Sequence, residues 1–338
     1  MSDITLSKAY KLAMRLKELA PWNYLYESDV FGVRVPEEGK TYFLSIMGSG
    51  GEHYAMSAYE DIPGLVGFLQ LLEPAKWLRP IEMMLIPHMM VSFEDRDRID
   101  PPVRKKMKEL GFVFRGQNAW PDFRQVIPGF VPCMPDEEAL KRLLIIMEQA
   151  INVLERAKTD AELIGSNNMS DDVFLVRATS GPGYGSGEWE DTYWTFKPPN
   201  MSYQMKFDIG ERDRISSLPR SSDILQADIA MLSSQVAEPG KKAFFASMFV
   251  AMSKQTGMAL DFKTLTPEEG INAMHSLFPD MLIKTILKLN WQPAAIEIRH
   301  PLFYQMAKDA LEPTNLRIIH KPVIKQIDSL LEMCESGF

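Results

Sequence analysis

The chain has 338 residues, 46% of them hydrophobic and 24% charged, with a formal charge of −8. That length exceeds the usual size of one hydrophobic core, so two domains are expected, and the ordinary composition excludes global disorder. The acidic balance disfavours wholesale adsorption to nucleic acid or anionic membrane but leaves room for a local basic patch.

In chain order, Leu6, Ala9, Leu12, Ala13 and Leu16 form one stripe, which predicts a helix over Thr5–Leu19 ended by Pro21. Strands are expected over Phe31–Val35, Tyr42–Met47 and His53–Tyr59, separated by turns at Gly39 and Gly48–Gly51. A helix over Gly64–Leu72 and an apolar strand over Ile81–Ile86 follow, the latter introduced by Trp77 and Pro80. Then come a helix over Pro102–Leu110 capped by Gly111, a short strand over Phe112–Arg115, and a long amphipathic helix over Asp136–Ala157. Residues 159–171 are polar and turn-rich and read as the domain boundary, giving an N-terminal domain over 1–160 and a C-terminal one over 172–338.

Beyond that boundary, strands are expected at Val173–Ala178, Thr192–Phe196 and Tyr203–Asp208, and an amphipathic helix at Asp223–Val236. Phe244–Ser253 and Met258–Thr264 read as a hairpin around Gly257. Thr266-Pro-Glu-Glu269 has capping-box spacing and starts a helix kinked at Pro279 that runs to Leu289. A strand over Ala295–Arg299, a helix over Leu302–Leu311, a strand over Leu316–His320 and a helix over Val323–Met333 complete the pattern.

The two halves share an order. Gly39 corresponds to Gly257, Trp77 and Pro80 to Trp291 and Pro293, and Ile81-Glu-Met83 to Ile296-Glu-Ile298. The expected fold is therefore α/β, with mixed sheets in two similar lobes. Each lobe is about ββ(β)αβαβ, and the repeat-like core of the second spans 243–338. The topology reads as ribonuclease-H-like without that fold's catalytic carboxylates, because the expected first strands, Phe31–Val35 and Phe244–Met252, carry no acid.

Cys133 and Cys334 stand far apart with no CxxC or Cys/His spacing, which fits a reducing compartment. With neither a leader pattern nor an 18-residue apolar run, a cytoplasmic protein without a membrane span is expected. The 22 methionines, Met83, Met84, Met89 and Met90 among them, read as adaptable core filler.

Complete catalytic motifs are missing. Gly39-Lys-Thr41 has Arg34 where a phosphate loop needs its first glycine, and a strand follows it. Gly181-Pro-Gly-Tyr-Gly-Ser-Gly187 is followed by an acidic, aromatic stretch rather than a helix, so it reads as a loop. His53, His88, His275, His300 and His320 make no helical pair for zinc, and neither a cofactor nor a metal is expected.

Two places remain. Glu52 and His53 beside the glycine turn offer a carboxylate and an imidazole for acid–base work, or are simply a solvated hairpin tip. Residues 96–124 hold eight Lys/Arg against four Asp/Glu. Within them Arg115, Gln117, Asn118, Trp120 and Arg124 could grip an anion and stack a planar group. Alternatively, Trp120, Phe123 and Phe130 pack this stretch onto the sheet and the charges are solvated.

Asp29-Val-Phe-Gly32, Met47-Gly-x-Gly-Gly-Glu52, Ser92-Phe-Glu-Asp-Arg96 and Phe114-Arg-Gly-x-x-Ala-Trp-Pro-x-Phe-Arg124 resemble an uncharacterised bacterial family of the domain-of-unknown-function kind. From Phe244 on, the chain more loosely resembles a second uncharacterised domain that accompanies it. The resemblance implies a bacterial cytoplasmic origin and transfers no activity. The expectation is a non-catalytic binding or regulatory protein for an anionic small molecule, acidic protein or nucleic acid, using the first lobe. A hydrolase centred on Glu52 and His53, and a purely structural or interaction protein, are its alternatives.

Overall fold

The computed structural model describes residues 2–72, 78–160, 162–164, 172–180, 187–199 and 202–336. Trp77 and residues 181–186 of the glycine-rich stretch lie outside them. The chain divides into two compact units: residues 1–73, 86–127 and 132–199 form the first, and 74–85, 128–131 and 200–338 the second. Two short segments from the first half of the chain thus belong to the second unit.

Among the described residues the first unit holds seven strands: β1 (Phe31–Arg34), β2 (Thr41–Met47), β3 (Tyr54–Glu60), β4 (His88–Glu94), β5 (Trp120–Val126), β6 (Val173–Thr179) and β7 (Trp189–Thr195). They line up as β5-β4-β3-β2-β1-β6-β7, antiparallel throughout except for the parallel pair β1 and β6. Alternation along β2 sends Tyr42, Leu44 and Ile46 to one face and Phe43 to the other. On the first face lie α1 (Asp3–Leu19) and α4 (Glu137–Ala157), which bury Leu6, Ala9, Ala13, Leu143, Ile146 and Leu154 with those side chains. On the second lies α2 (Asp61–Leu72), whose Leu65 and Phe68 pack on Phe43 and Tyr59. Asp136 caps α4 by accepting from the amide of Ala139 at 2.9 Å, and Ser2 caps α1 in the same way.

Among the described residues the second unit has a short leading helix, α5 (Ile209–Arg214), and five strands: β8 (Ile224–Val236), β9 (Phe244–Ser253), β10 (Ala259–Leu265), β11 (Ala295–Ile298) and β12 (Ile318–His320). Their order is β10-β9-β8-β11-β12. β8, β11 and β12 run parallel, and β9 runs antiparallel to both β8 and β10. One face of the sheet is covered by α7 (Phe278–Leu289) and α8 (Pro301–Leu311), through Phe249, Phe278, Leu282, Ile286 and Phe303. The other is covered by α9 (Lys325–Ser336), whose Ile324-side packing joins Ile327 and Leu331 to Ala230, Met248 and Val250.

Two mixed α/β lobes are thus present, and their sheets share a core arrangement: β3-β2-β1-β6 and β10-β9-β8-β11 are both antiparallel meanders with a parallel strand beside the first, to which the first unit adds β4, β5 and an antiparallel β7 and the second a parallel β12. The residue-by-residue correspondence fails at Ile81-Glu-Met83, which lies in the 3-10 helix Pro80–Leu85 where Ile296-Glu-Ile298 lies in a strand. Asp223–Val236, expected as a helix, is strand β8, buried from Leu225 to Met231 on both faces. Neither Phe112–Arg115 nor Tyr203–Asp208 is a strand, while β4 and β5 lie where no strand was expected. Thr266–Glu269 opens no helix; helical structure starts at α6 (Ile271–His275). Strands β6 and β7, assigned by sequence to the C-terminal domain, hydrogen-bond into the first sheet beside β1.

Candidate functional site

In the first unit, α3 (Pro101–Glu109) is followed by an irregular segment that reaches β5 through three left-handed residues, Gly111, Gly116 and Asn118, with φ of +83°, +99° and +49°. Asp95 fixes this segment by accepting from the Asn118 amide at 2.8 Å, and Lys17 on α1 donates its ammonium to the Asn118 carbonyl. Phe112 and Phe114 turn inward onto Tyr10 at ring distances of 5.2 and 6.1 Å. The segment is therefore anchored by its aromatics and its backbone, leaving Arg115 and Gln117 exposed.

Between this segment and α1 lies a groove of about 410 Å³. Phe93, Phe114 and Pro121 supply apolar walls, Val113 and Met14 form an exposed apolar rim, and Lys17, Arg115 and Glu18 stand at the edge. The Lys17 ammonium lies 5.5 Å from the centre of the Phe93 ring. Partial burial pulls its pKa down, with Asp95 opposing. Arg115 makes no ion pair or hydrogen bond among the described residues.

The other expected residues distribute differently. Trp120 is half-buried against Phe114, with ring centres 5.6 Å apart. Arg124 is held by carboxylates, its Nε 2.6 Å from Oδ2 of Asp122 and its Nη2 3.9 Å from Asp100. Glu52 is exposed, and His53 points its Nδ1 at Oε1 of Glu94, 3.8 Å away, rather than at Glu52. Of the sequence candidates, Arg115 lines the groove; Gln117, Asn118, Trp120, Arg124, Glu52 and His53 are not among its lining residues. Lys17 went unnoticed because it reads as one more solvated lysine near the end of a helix.

The second unit has a polar centre that sequence reading missed. Gln226, Asp228 and Ala230 alternate onto the face of β8 that α9 covers. Arg299, directly after β11, is 2% exposed, and its guanidinium reaches three carboxylates. Nε is 2.7 Å from Asp228, Nη1 is 3.3 Å from Asp328 on α9, and Nη2 is 3.4 Å from Glu82. Glu82 comes from the 3-10 helix Pro80–Leu85, which Arg79 holds in the same unit through Glu335 and the Met231 carbonyl, both at 2.8 Å. Burial pushes the Asp228 carboxyl up to about 6; Arg299 opposes the rise and Glu82 adds to it. Burial raises Glu82 as well. The first strand of this sheet in chain order thus carries an acid after all, and an arginine occupies the space between it and its neighbouring carboxylates.

Beside it, Glu297 on β11 accepts from Gln226 at 2.7 Å, from Lys254 at 2.5 Å and from Lys321 at 3.3 Å. Burial pushes this carboxyl up, but these donors outweigh it and the net shift is downward. Among the described residues no cluster of three or more His, Cys, Asp or Glu is placed to hold a metal, and no helix is long and apolar enough to cross a membrane.

No curated protein and no solved structure matches the chain. Residues 211–335, which carry the second sheet and its buried arginine, match the family described as domain of unknown function DUF6930. Residues 7–177, half of the chain and all of the groove, match the model described as domain of unknown function DUF7309, and the chain belongs to that family.

Proposed function

We propose that the protein is a non-catalytic binding or regulatory protein whose first unit takes a small amphipathic anion, an aromatic or aliphatic body bearing a phosphate or carboxylate. The supporting observation is the groove between α1 and residues 113–121, where apolar walls end at Lys17 and at an Arg115 without a carboxylate partner among the described residues. A guanidinium fork suits a bidentate oxyanion, and the apolar floor rewards a hydrophobic body that an inorganic ion lacks. Glu18 on the same rim, with Asp95 behind Lys17, disfavours ligands of high negative charge density such as a nucleic acid strand.

The second unit is read as non-catalytic. Its strand order and directions support a ribonuclease-H-like topology. The acids that such a fold would offer to cations are instead bonded to Arg299. A buried ion pair of this kind specifies structure more readily than it adds stability.

Isothermal titration with phenyl phosphate at low salt tests the proposal. Binding is expected for the parent chain, with inorganic phosphate and phenol each much weaker, and Arg115→Ala together with Lys17→Met should weaken it by about tenfold or more. Phenyl phosphate binding unchanged by both substitutions would refute it.

A further inference from the structure

His275, the last residue of α6, presents a polar group that the fold leaves unanswered. Its ring packs edge-on against Phe303 at 5.0 Å and 89°, yet it makes no hydrogen bond among the described residues. The imidazole is half-buried, so its ring nitrogens are left for whatever occupies the space beside it. The ring borders a cavity of about 320 Å³ within the second unit.

The cavity's chemistry is uniform. Gln204 and Asn272 offer carboxamides, Ser202 a hydroxyl, and Leu302 and Met306 an apolar wall. Tyr203 also borders it, with its hydroxyl committed to Asp309. Among the described residues the lining holds no Lys, Arg, Asp or Glu, so a charged ligand would surrender its hydration without a counter-charge from them. Burial brings the His275 pKa down to about 4, so at neutral pH the ring carries one donor and one acceptor. Carboxamides match an adjacent donor and acceptor on a heterocycle edge, as Asn and Gln do with adenine. A thioether and a leucine suit the flat apolar face of such a ring.

We propose that this cavity binds an uncharged nitrogen heterocycle of nucleobase size, held at its edge by Asn272, Gln204 and His275. It stands apart from the groove reading, since the described lining residues all belong to the second unit.

The test uses the full chain with ¹⁵N-labelled histidine, the His275 signal being assigned by its loss in His275→Gln. Adenine, cytosine and uracil are titrated in turn, with glucose and inorganic phosphate as comparison ligands. At least one base is expected to shift the His275 ring nitrogens. Asn272→Leu, at an exposed position that leaves the core intact, should weaken that effect by about tenfold. The proposal is overturned if no base shifts His275, if glucose or phosphate shifts it more, or if Asn272→Leu leaves the response undiminished.

Discussion

Nε of Arg299 lies 2.7 Å from Oδ2 of Asp228, and neither side chain is more than 2% exposed. The pair ties the end of β11 to the middle of β8, and through Asp328 and Glu82 it also ties in α9 and the segment drawn from residues 74–85. Burial is the largest influence on Asp228 and Glu82 and lifts both; Arg299 opposes it at each, and the neighbouring carboxylates, Glu82 for Asp228 and Asp328 for Glu82, add to the rise.

Removing the cation strands these acids. Arg299→Met should cost about 3–5 kcal/mol, and the double change Arg299→Met with Asp228→Leu should recover part of it, because a buried pair replaced by apolar groups is often tolerated. Urea unfolding combined with hydrogen exchange of the β8 and β11 amides measures both. A single variant as stable as the parent would contradict the account.

Two acids on neighbouring strands should respond to pH in opposite directions. Asp228 has a folded pKa of about 6 against an ordinary 3.8, so the fold holds a proton that the unfolded chain releases. Its contribution to stability is therefore lost as pH rises between about 4 and 6. The stability of the parent minus that of Asp228→Asn should fall across that window, with Arg299, Glu82 and Asp328 unchanged around the site. Glu297 is shifted below its ordinary 4.5, so its contribution is present above that value and is lost as pH falls through the lower folded pKa. Parent minus Glu297→Gln should accordingly rise with pH in the acid range. Parallel slopes for the two differences would show the assignments to be wrong.

Gly129 joins segment 128–131 to the second sheet, donating to the Met84 carbonyl and accepting from the Phe245 amide at 2.9 Å. Its φ is +84°, and a Cβ there would meet Cβ of Pro267 at 2.9 Å. Gly129→Ala should destabilise by at least about 1–2 kcal/mol from the left-handed backbone alone. Gly50→Ala, where a Cβ meets nothing within 4 Å and φ lies outside the left-handed range, should change little. Comparing the two melting temperatures checks the claim.

Much of the architecture was legible where one face of an element is wet. α1, α4, the β1–β2–β3 meander and the β9–β10 hairpin all follow from apolar periodicity and turn glycines. β8 was not legible, because Gln226 and Asp228 break up its buried stretch while Leu225, Ile229, Leu232 and Val236 recur at helical spacing. β5 was hidden by Pro121, which weakens a strand reading except on a sheet edge, where β5 lies. Pro80–Leu85 has the composition of a strand but belongs to the other unit, a placement that no local pattern encodes. Of the candidate site, Arg115 could be read from charge among aromatics. The groove needs Lys17, some hundred residues earlier in the chain, brought beside it by the packing of α1.

The most direct test of amphipathic-anion binding is a ¹³C-methyl spectrum of the full chain titrated with phenyl phosphate. The Met14 and Val113 methyl groups, which rim the groove, are expected to shift together and saturably, while the Met258 and Met333 methyls of the second unit stay fixed. Saturable shifts confined to the second unit, with Met14 and Val113 unmoved, would contradict it.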